Sequence, residues 1–353
     1  MSDSWSKQPW KTLFLIVFLA KSIPYIIACS VVFLVKSFRP LPDWSYKTAL
    51  GTKLLRTLFG FMTITRSQKA PQLSAGKSGD RFTKVLPAPT GALWFPAPVQ
   101  PNDPELSSQK VCIHVPGGAF VLGFDMEEVG KAVADLLIES YGATHVLHTT
   151  YRLASFRTPF PAALQDVLSS YQYVLGLGVP PENISIVGDS AGDNIVIALL
   201  RFLETAQSLL PCPCSVLSFS PWIDVTAVGI HEYATSRASR YDPLYEPLLW
   251  WGSQDYTPTE ASQYVMPYVS PRAHPFKAKT PLFINAGAEE GFFRSIHEFS
   301  EQMRGIEGNR IMLYVSPHMP HDFFMLWPVL GTKAEAKNAL EMARKFVEES
   351  RDS

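Results

Sequence analysis

Ser190 sits in Gly188-Asp189-Ser190-Ala191-Gly192, where the run Ile184-Ser185-Ile186-Val187 gives way to a helical pattern. The spacing G-x-S-x-G suits a sharp strand-to-helix turn that presents a hydroxyl above a sheet. A Cβ at either glycine would obstruct the close approach of strand and helix. The pentapeptide alone is also compatible with a plain turn; the strand before it and the helix after it favour a nucleophile. A serine hydroxyl is weakly nucleophilic near neutral pH, so the reading demands a histidine base, an acid to orient it and donors for an oxyanion.

Those demands lead to three other stretches. "RIMLYVSPHMPHDFFMLWP" carries His318 and His321 after the last expected strand, and His321 is read as the base with His318 as the fallback. "PLFINAGAEEGFFRS" places Glu289 and Glu290 after the preceding strand, and position alone does not choose between them. "IHVPGGAFVLG", Ile113 to Gly123, sets adjacent glycines after a strand. Their N–H groups could reach a tetrahedral oxyanion, where losing one donor typically costs about 3–4 kcal/mol of barrier stabilisation.

The elements that would hold these residues alternate. "KVCIHV", "THVLHTTY", "NISIVG", "CSVLSFS", "PLFINAG" and "RIMLYVS" read as strands. "EEVGKAVADLLIESY", "PAALQDVLSSYQYVLGL", "AGDNIVIALLRFLETAQSLL" and "KAEAKNALEMARKFVEES" read as helices. Such alternation predicts an α/β fold, a mainly parallel sheet flanked by helices on both faces. Proline, glycine and serine dominate residues 68–103, read as a connecting region, so the ordered core is expected to start near Lys110. Before it, "WSYKTALGTKLLRTLFGFMTI" has the spacing of an amphipathic helix suited to a membrane surface or to covering a pocket.

The chain has 353 residues, 46% of them hydrophobic, and a formal net charge of −1. It lacks the basic footprint of a nucleic-acid binder, so that class is excluded. Cys29, Cys112, Cys212 and Cys214 do not complete a zinc site and are read as free thiols.

Residues 12–35, "TLFLIVFLAKSIPYIIACSVVFLV", are long enough to cross a bilayer, although Lys21 and Pro24 interrupt them. A cleaved secretory signal and an interfacial helix are the rival readings; Ala28-Cys29-Ser30 fits a cleavage site poorly. Lys7 and Lys11 precede the run and Lys36, Arg39 and Lys47 follow it, so charge leaves the orientation open. The expected location is membrane-associated, at the endoplasmic reticulum, with one pass.

"GGAFVLG", "YRLASFRTPFPAALQDVLSSYQYV", "GDSAGDN", "SPWIDVT", "AGAEEGF" and "HMPHDF" occur in an order and spacing that resembles the hormone-sensitive-lipase-like branch of the α/β-hydrolases, from about Lys110 onward. The hydrophobic N-terminus with "RPLPDWSYKTAL" is similar to that of some fungal membrane-associated members. The resemblance implies Ser190 as nucleophile, His321 as base and Glu290 as acid, because Glu290 matches the acidic position two residues before Phe292, where members commonly have Asp. It implies oxyanion donors at the main chain of Gly118 and Ala119, with Gly117 shaping the turn, and at the amide of Ala191.

Two departures stand out. Pro116-Gly117-Gly118-Ala119 replaces His-Gly-Gly-Gly, with a histidine displaced to His114, which keeps the N–H groups but is expected to narrow the acyl pocket. Asp193 replaces a glycine and is read as a charge favourable to the helix dipole, with contact to a polar substrate group as the alternative.

The implied organisation is an anchor segment at 1–40, a cap helix and linker at 41–105, and a catalytic domain at 106–353 with a cap insertion at about 231–279. The implied activity is hydrolysis of a small lipophilic carboxylic ester through an acyl-enzyme, as in tailoring esterases and deacetylases of fungal secondary metabolism, with no metal or organic cofactor. Acyl transfer or cyclisation by the same triad, and a non-catalytic small-molecule receptor on the same fold, are the alternatives.

Overall fold

The strands nearest Ser190 are mostly apolar and are buried along their whole length, as a parallel sheet covered on both faces requires. The computed structural model describes residues 3–69, 72–101, 103–205 and 208–351. In chain order the elements are α1 (Trp10–Val32), α2 (Tyr46–Ile64), β1 (Phe82–Val85), β2 (Thr90–Phe95), β3 (Val111–Val115), α3 (Met126–Leu136), β4 (His145–Thr149), α4 (Ala162–Gly176), β5 (Ile184–Asp189) and α5 (Ser190–Leu203). They continue as β6 (Ser215–Phe219), α6 (Ala227–Thr235), α7 (Glu246–Tyr256), α8 (Met266–Val269), β7 (Leu282–Gly287), α9 (Phe293–Arg304), β8 (Ile311–Ser316), α10 (Trp327–Leu330) and α11 (Lys333–Arg351).

These strands form one sheet in the order β1-β2-β4-β3-β5-β6-β7-β8. The pairs from β4–β3 to β7–β8 are parallel, and β1–β2 and β2–β4 are antiparallel. The expected α/β architecture is therefore present.

Two expectations fail. Residues 68–103 are not merely a connection: β1 and β2 form a hairpin on the edge of the sheet, and every residue of β2 is buried. Pro87, Pro96 and Pro98 hid it, but these prolines flank the strands, where no ladder N–H is required. The helix expected over 191–210 ends at Leu203; Ala206 and Gln207 of that span lie outside the described residues. Pro211 and Pro213 precede β6 and exclude a helical approach to it.

α1 is long and apolar enough to cross a membrane, and none of its most apolar stretch is buried. At 23 residues it measures about 35 Å against a hydrocarbon core of about 30 Å. Phe14 and Phe18 of α1 pack on Phe61 of α2, and Cys29 and Phe33 join Trp44 and Tyr241 in a small separate core. The N-terminal helices thus rest on the insertion between β6 and β7, which holds α6, α7 and α8.

Candidate active site

Ser190 begins α5 directly after β5, with φ 51°. This left-handed conformation is costly for a residue with a Cβ and tends to persist where the surroundings enforce it. Here the enforcement is steric and hydrogen-bonded. A Cβ on Gly192 would lie 2.2 Å from the Val115 carbonyl oxygen and 2.5 Å from that of Pro116, so the helix can sit against the end of β3 only with glycine there. The Trp222 N–H donates to the Ser190 carbonyl (3.0 Å) from the loop after β6. Gly192→Ala is therefore expected to cost about 1–3 kcal/mol of stability by overpacking against rigid backbone. Thermal unfolding and ester turnover should fall together; if both are unchanged, the close-approach argument is wrong.

The structure brings His321 and Glu290 to Ser190. His321 Nε2 lies 2.8 Å from Ser190 Oγ, and His321 Nδ1 lies 2.9 Å from Glu290 Oε2. Glu290 Oε1 accepts the Gly287 N–H (3.1 Å), so both carboxyl oxygens are engaged. All three residues are buried, and the Phe292 ring meets the His321 imidazole edge to face at 5.2 Å.

The two alternatives lie elsewhere. Glu289 accepts a hydrogen bond from the Tyr241 hydroxyl (2.5 Å). His318 is more than half exposed and lies 3.6 Å from Asp43, while its carbonyl accepts the Trp44 indole N–H.

The turn after β3 has φ of 123° at Gly118, 51° at Ala119 and 64° at Phe120. Gly117 is committed elsewhere, because its N–H donates to Asp189 Oδ2 (2.6 Å). The Gly118 and Ala119 N–H groups have no intramolecular acceptor among the described residues. Ala191 lies in the first turn of α5, where the helix leaves N–H groups unpaired.

The turn is held from both sides. The Tyr151 hydroxyl donates to the Pro116 carbonyl (2.8 Å), and α7 of the insertion approaches so closely that a Cβ on Gly252 would be 2.3 Å from the Ala119 carbonyl oxygen. Tyr256 of α7 stacks on Phe120 with centroids 3.7 Å apart. Trp251 and Tyr256 are buried.

Of the polar groups around Ser190, Asp189 and His148 were not singled out by the sequence, and His114 only as a histidine displaced from the glycine turn. Asp189 Oδ1 lies 2.7 Å from His114 Nε2, and His114 Nδ1 lies 2.8 Å from His148 Nδ1, all in the core. Burial, reinforced by His114, holds the His148 pKa well below the usual histidine value, so His148 is neutral. The signal available was two histidines interrupting otherwise apolar strands. Asp193 is not the helix-terminal charge expected. It accepts the Ser218 hydroxyl in the core, and burial pushes its carboxyl well above the usual carboxylate range, so burial disfavours the charge that the dipole reading requires.

The sequence profile of the alpha/beta hydrolase fold family matches residues 111–325. An acetyl-hydrolase of Streptomyces hygroscopicus is 28% identical over 244 residues, covering 69% of this chain and 77% of that protein. An esterase of Acinetobacter venetianus is 27% identical over 248 residues, covering 69% and 76%. Among solved structures, an esterase of the bacterial hormone-sensitive lipase family superposes with a TM-score of 0.65 at 23% identity, over 87% of this chain and 98% of that one, a likeness of fold. An esterase/lipase from an uncultured bacterium gives a TM-score of 0.65 at 25% identity, over 87% and 99%.

Proposed function

This chain belongs to the alpha/beta hydrolase fold family, and from that premise we propose that it hydrolyses carboxylic esters of a small lipophilic substrate through an acyl-enzyme on Ser190. The observation that carries the reading is the continuous buried path from Ser190 Oγ through the His321 ring to Glu290, with steps of 2.8 and 2.9 Å. Relatives named acetyl-hydrolase and esterase support the reaction class.

In this mechanism Ser190 Oγ attacks the ester carbonyl carbon while its proton passes to His321 Nε2. Glu290 accepts the Nδ1–H, which fixes the tautomer and stabilises the imidazolium. The carbonyl oxygen takes the negative charge and meets the N–H groups of Gly118, Ala119 and Ala191. Collapse expels the alcohol, protonated from His321 Nε2. Water then gives its proton to Nε2 and attacks the acyl carbon, and collapse returns that proton to Oγ and releases the acid.

α1 is proposed to anchor the protein in a membrane, where a lipophilic ester would concentrate. The same proposal includes a tailoring role in secondary metabolism, supported by the N-terminal resemblance and tested by comparing metabolites after deletion of the gene. The reaction class is tested with p-nitrophenyl esters of increasing chain length: turnover should be measurable and lost in Ser190 variants, and folded protein that hydrolyses none of them would contradict it.

Deleting Met1–Phe38 is expected to move the protein from the membrane fraction to the soluble fraction with Ser190 still open to a fluorophosphonate. Some stability should be lost, because Cys29 and Phe33 leave the core shared with Trp44 and Tyr241. Full-length protein that is soluble after detergent-free lysis would refute the anchor.

A further inference from the structure

We propose that Asp242, supplied by the insertion between β6 and β7, is a positioning residue that clamps the loop bearing Glu290 to the loop bearing His321. Asp242 is fully buried. Its Oδ2 accepts the N–H of Gly291, next to the acid (2.8 Å), and its Oδ1 accepts the N–H of His321 itself (3.1 Å). The two loops leave β7 and β8 separately, so the distance from Glu290 to His321 depends on what spans them. One carboxylate does so with both of its oxygens.

Asp242 is itself fixed from the N-terminal side. Arg56 of α2 donates through Nη1 to the carbonyls of Asp242 (2.9 Å) and Leu244 (2.6 Å). Arg56 therefore holds the main chain of the segment whose side chain holds the two loops.

Charge adds to geometry. The titratable and charged groups acting on Asp242 or placed beside it are His321 and Glu290 from the two loops, Tyr233 of α6, the neighbouring Tyr241, and Arg56. Burial pushes the Asp242 carboxyl up to about 7, opposed chiefly by His321 and the two amide donors. Its ionised form and the His321 imidazolium therefore favour each other, and a second carboxylate supports the cation formed when Ser190 gives up its proton.

The inference rests on Glu290 and His321 acting as acid and base. Its test is Asp242→Asn in the full-length protein, assayed on a soluble short-chain ester across pH. Asparagine has nearly the same shape, but it offers one acceptor oxygen and must turn an NH₂ toward one of the two N–H donors. We expect kcat to fall roughly tenfold or more, as displacement of reacting groups commonly does, with KM within about threefold. The acid limb of kcat/KM should move to lower pH by about half a unit or more, because the imidazolium loses a neighbouring negative charge.

A kcat within threefold of the parent overturns the proposal. So does a fall in kcat with the acid limb unmoved, which would make Asp242 a structural residue only. If the variant does not fold, Arg56→Met must lower kcat with little change in KM, and unchanged kcat there overturns the proposal. Fluorophosphonate labelling of the parent distinguishes the two readings: an unlabelled Ser190 defeats the triad itself, whereas a labelled parent with a fully active Asp242→Asn variant defeats only the clamp.

Discussion

Ser190→Ala is expected to abolish ester hydrolysis, by ~10⁴-fold or more, while leaving the protein folded. Alanine carries the same Cβ and meets the same φ of 51° without new strain, so only the hydroxyl is lost. The Trp222 N–H to Ser190 carbonyl bond is a main-chain contact and survives. His321→Ala should match this loss. His318→Ala should change turnover less than about tenfold, because its ring faces Asp43 and solvent and the Trp44 indole N–H bonds to its main-chain carbonyl, which alanine keeps. Steady-state turnover of the three variants decides this: near-full activity in Ser190→Ala defeats the nucleophile, and a crippled His318→Ala moves the base.

The second large effect is expected at the acid. In Glu290→Gln the side chain can satisfy the Gly287 N–H with its oxygen only by turning its NH₂ toward His321 Nδ1. The imidazole must then accept at Nδ1 and carry its proton on Nε2, the tautomer that cannot take the Ser190 proton. The comparable change in serine proteases lowers turnover by roughly 10⁴-fold. Glu289→Gln keeps an amide oxygen that can accept the Tyr241 hydroxyl, loses only the charge, and should cost less than about tenfold. Both are measured at saturating ester. A crippled Glu289→Gln beside an active Glu290→Gln would reassign the acid by one residue, and two active variants would leave a dyad.

The contrast between these glutamates shows how far the sequence could be read. Ser190 was legible because its pentapeptide carries strand and helix signals on both sides, and chain order then pointed to the loops after β7 and β8. Choosing Glu290 over Glu289 needed the family pattern, because neighbouring side chains on a loop diverge and only three-dimensional geometry shows which one reaches His321. Asp242 gave no signal at all: its role comes from two main-chain N–H groups 49 and 79 residues away.

The hairpin β1–β2 was hidden for a local reason. Its strands are short, and prolines flank them where loops are expected, so only pairing with β4 reveals that Trp94 and its neighbours are core. Asp193 reads as a helix-start charge because helix position shows in the sequence and burial does not: the buried carboxyl has Ser218 as its one side-chain hydrogen-bond partner among the described residues, and burial raises its pKa.

The most direct test of the account is to treat full-length protein in detergent with a fluorophosphonate and map the adduct by mass spectrometry while following esterase activity. One adduct per chain is expected, on Ser190, formed in step with the loss of activity and absent from Ser190→Ala. Complete inactivation with the adduct on another residue, or active folded protein that takes up no probe, would contradict it.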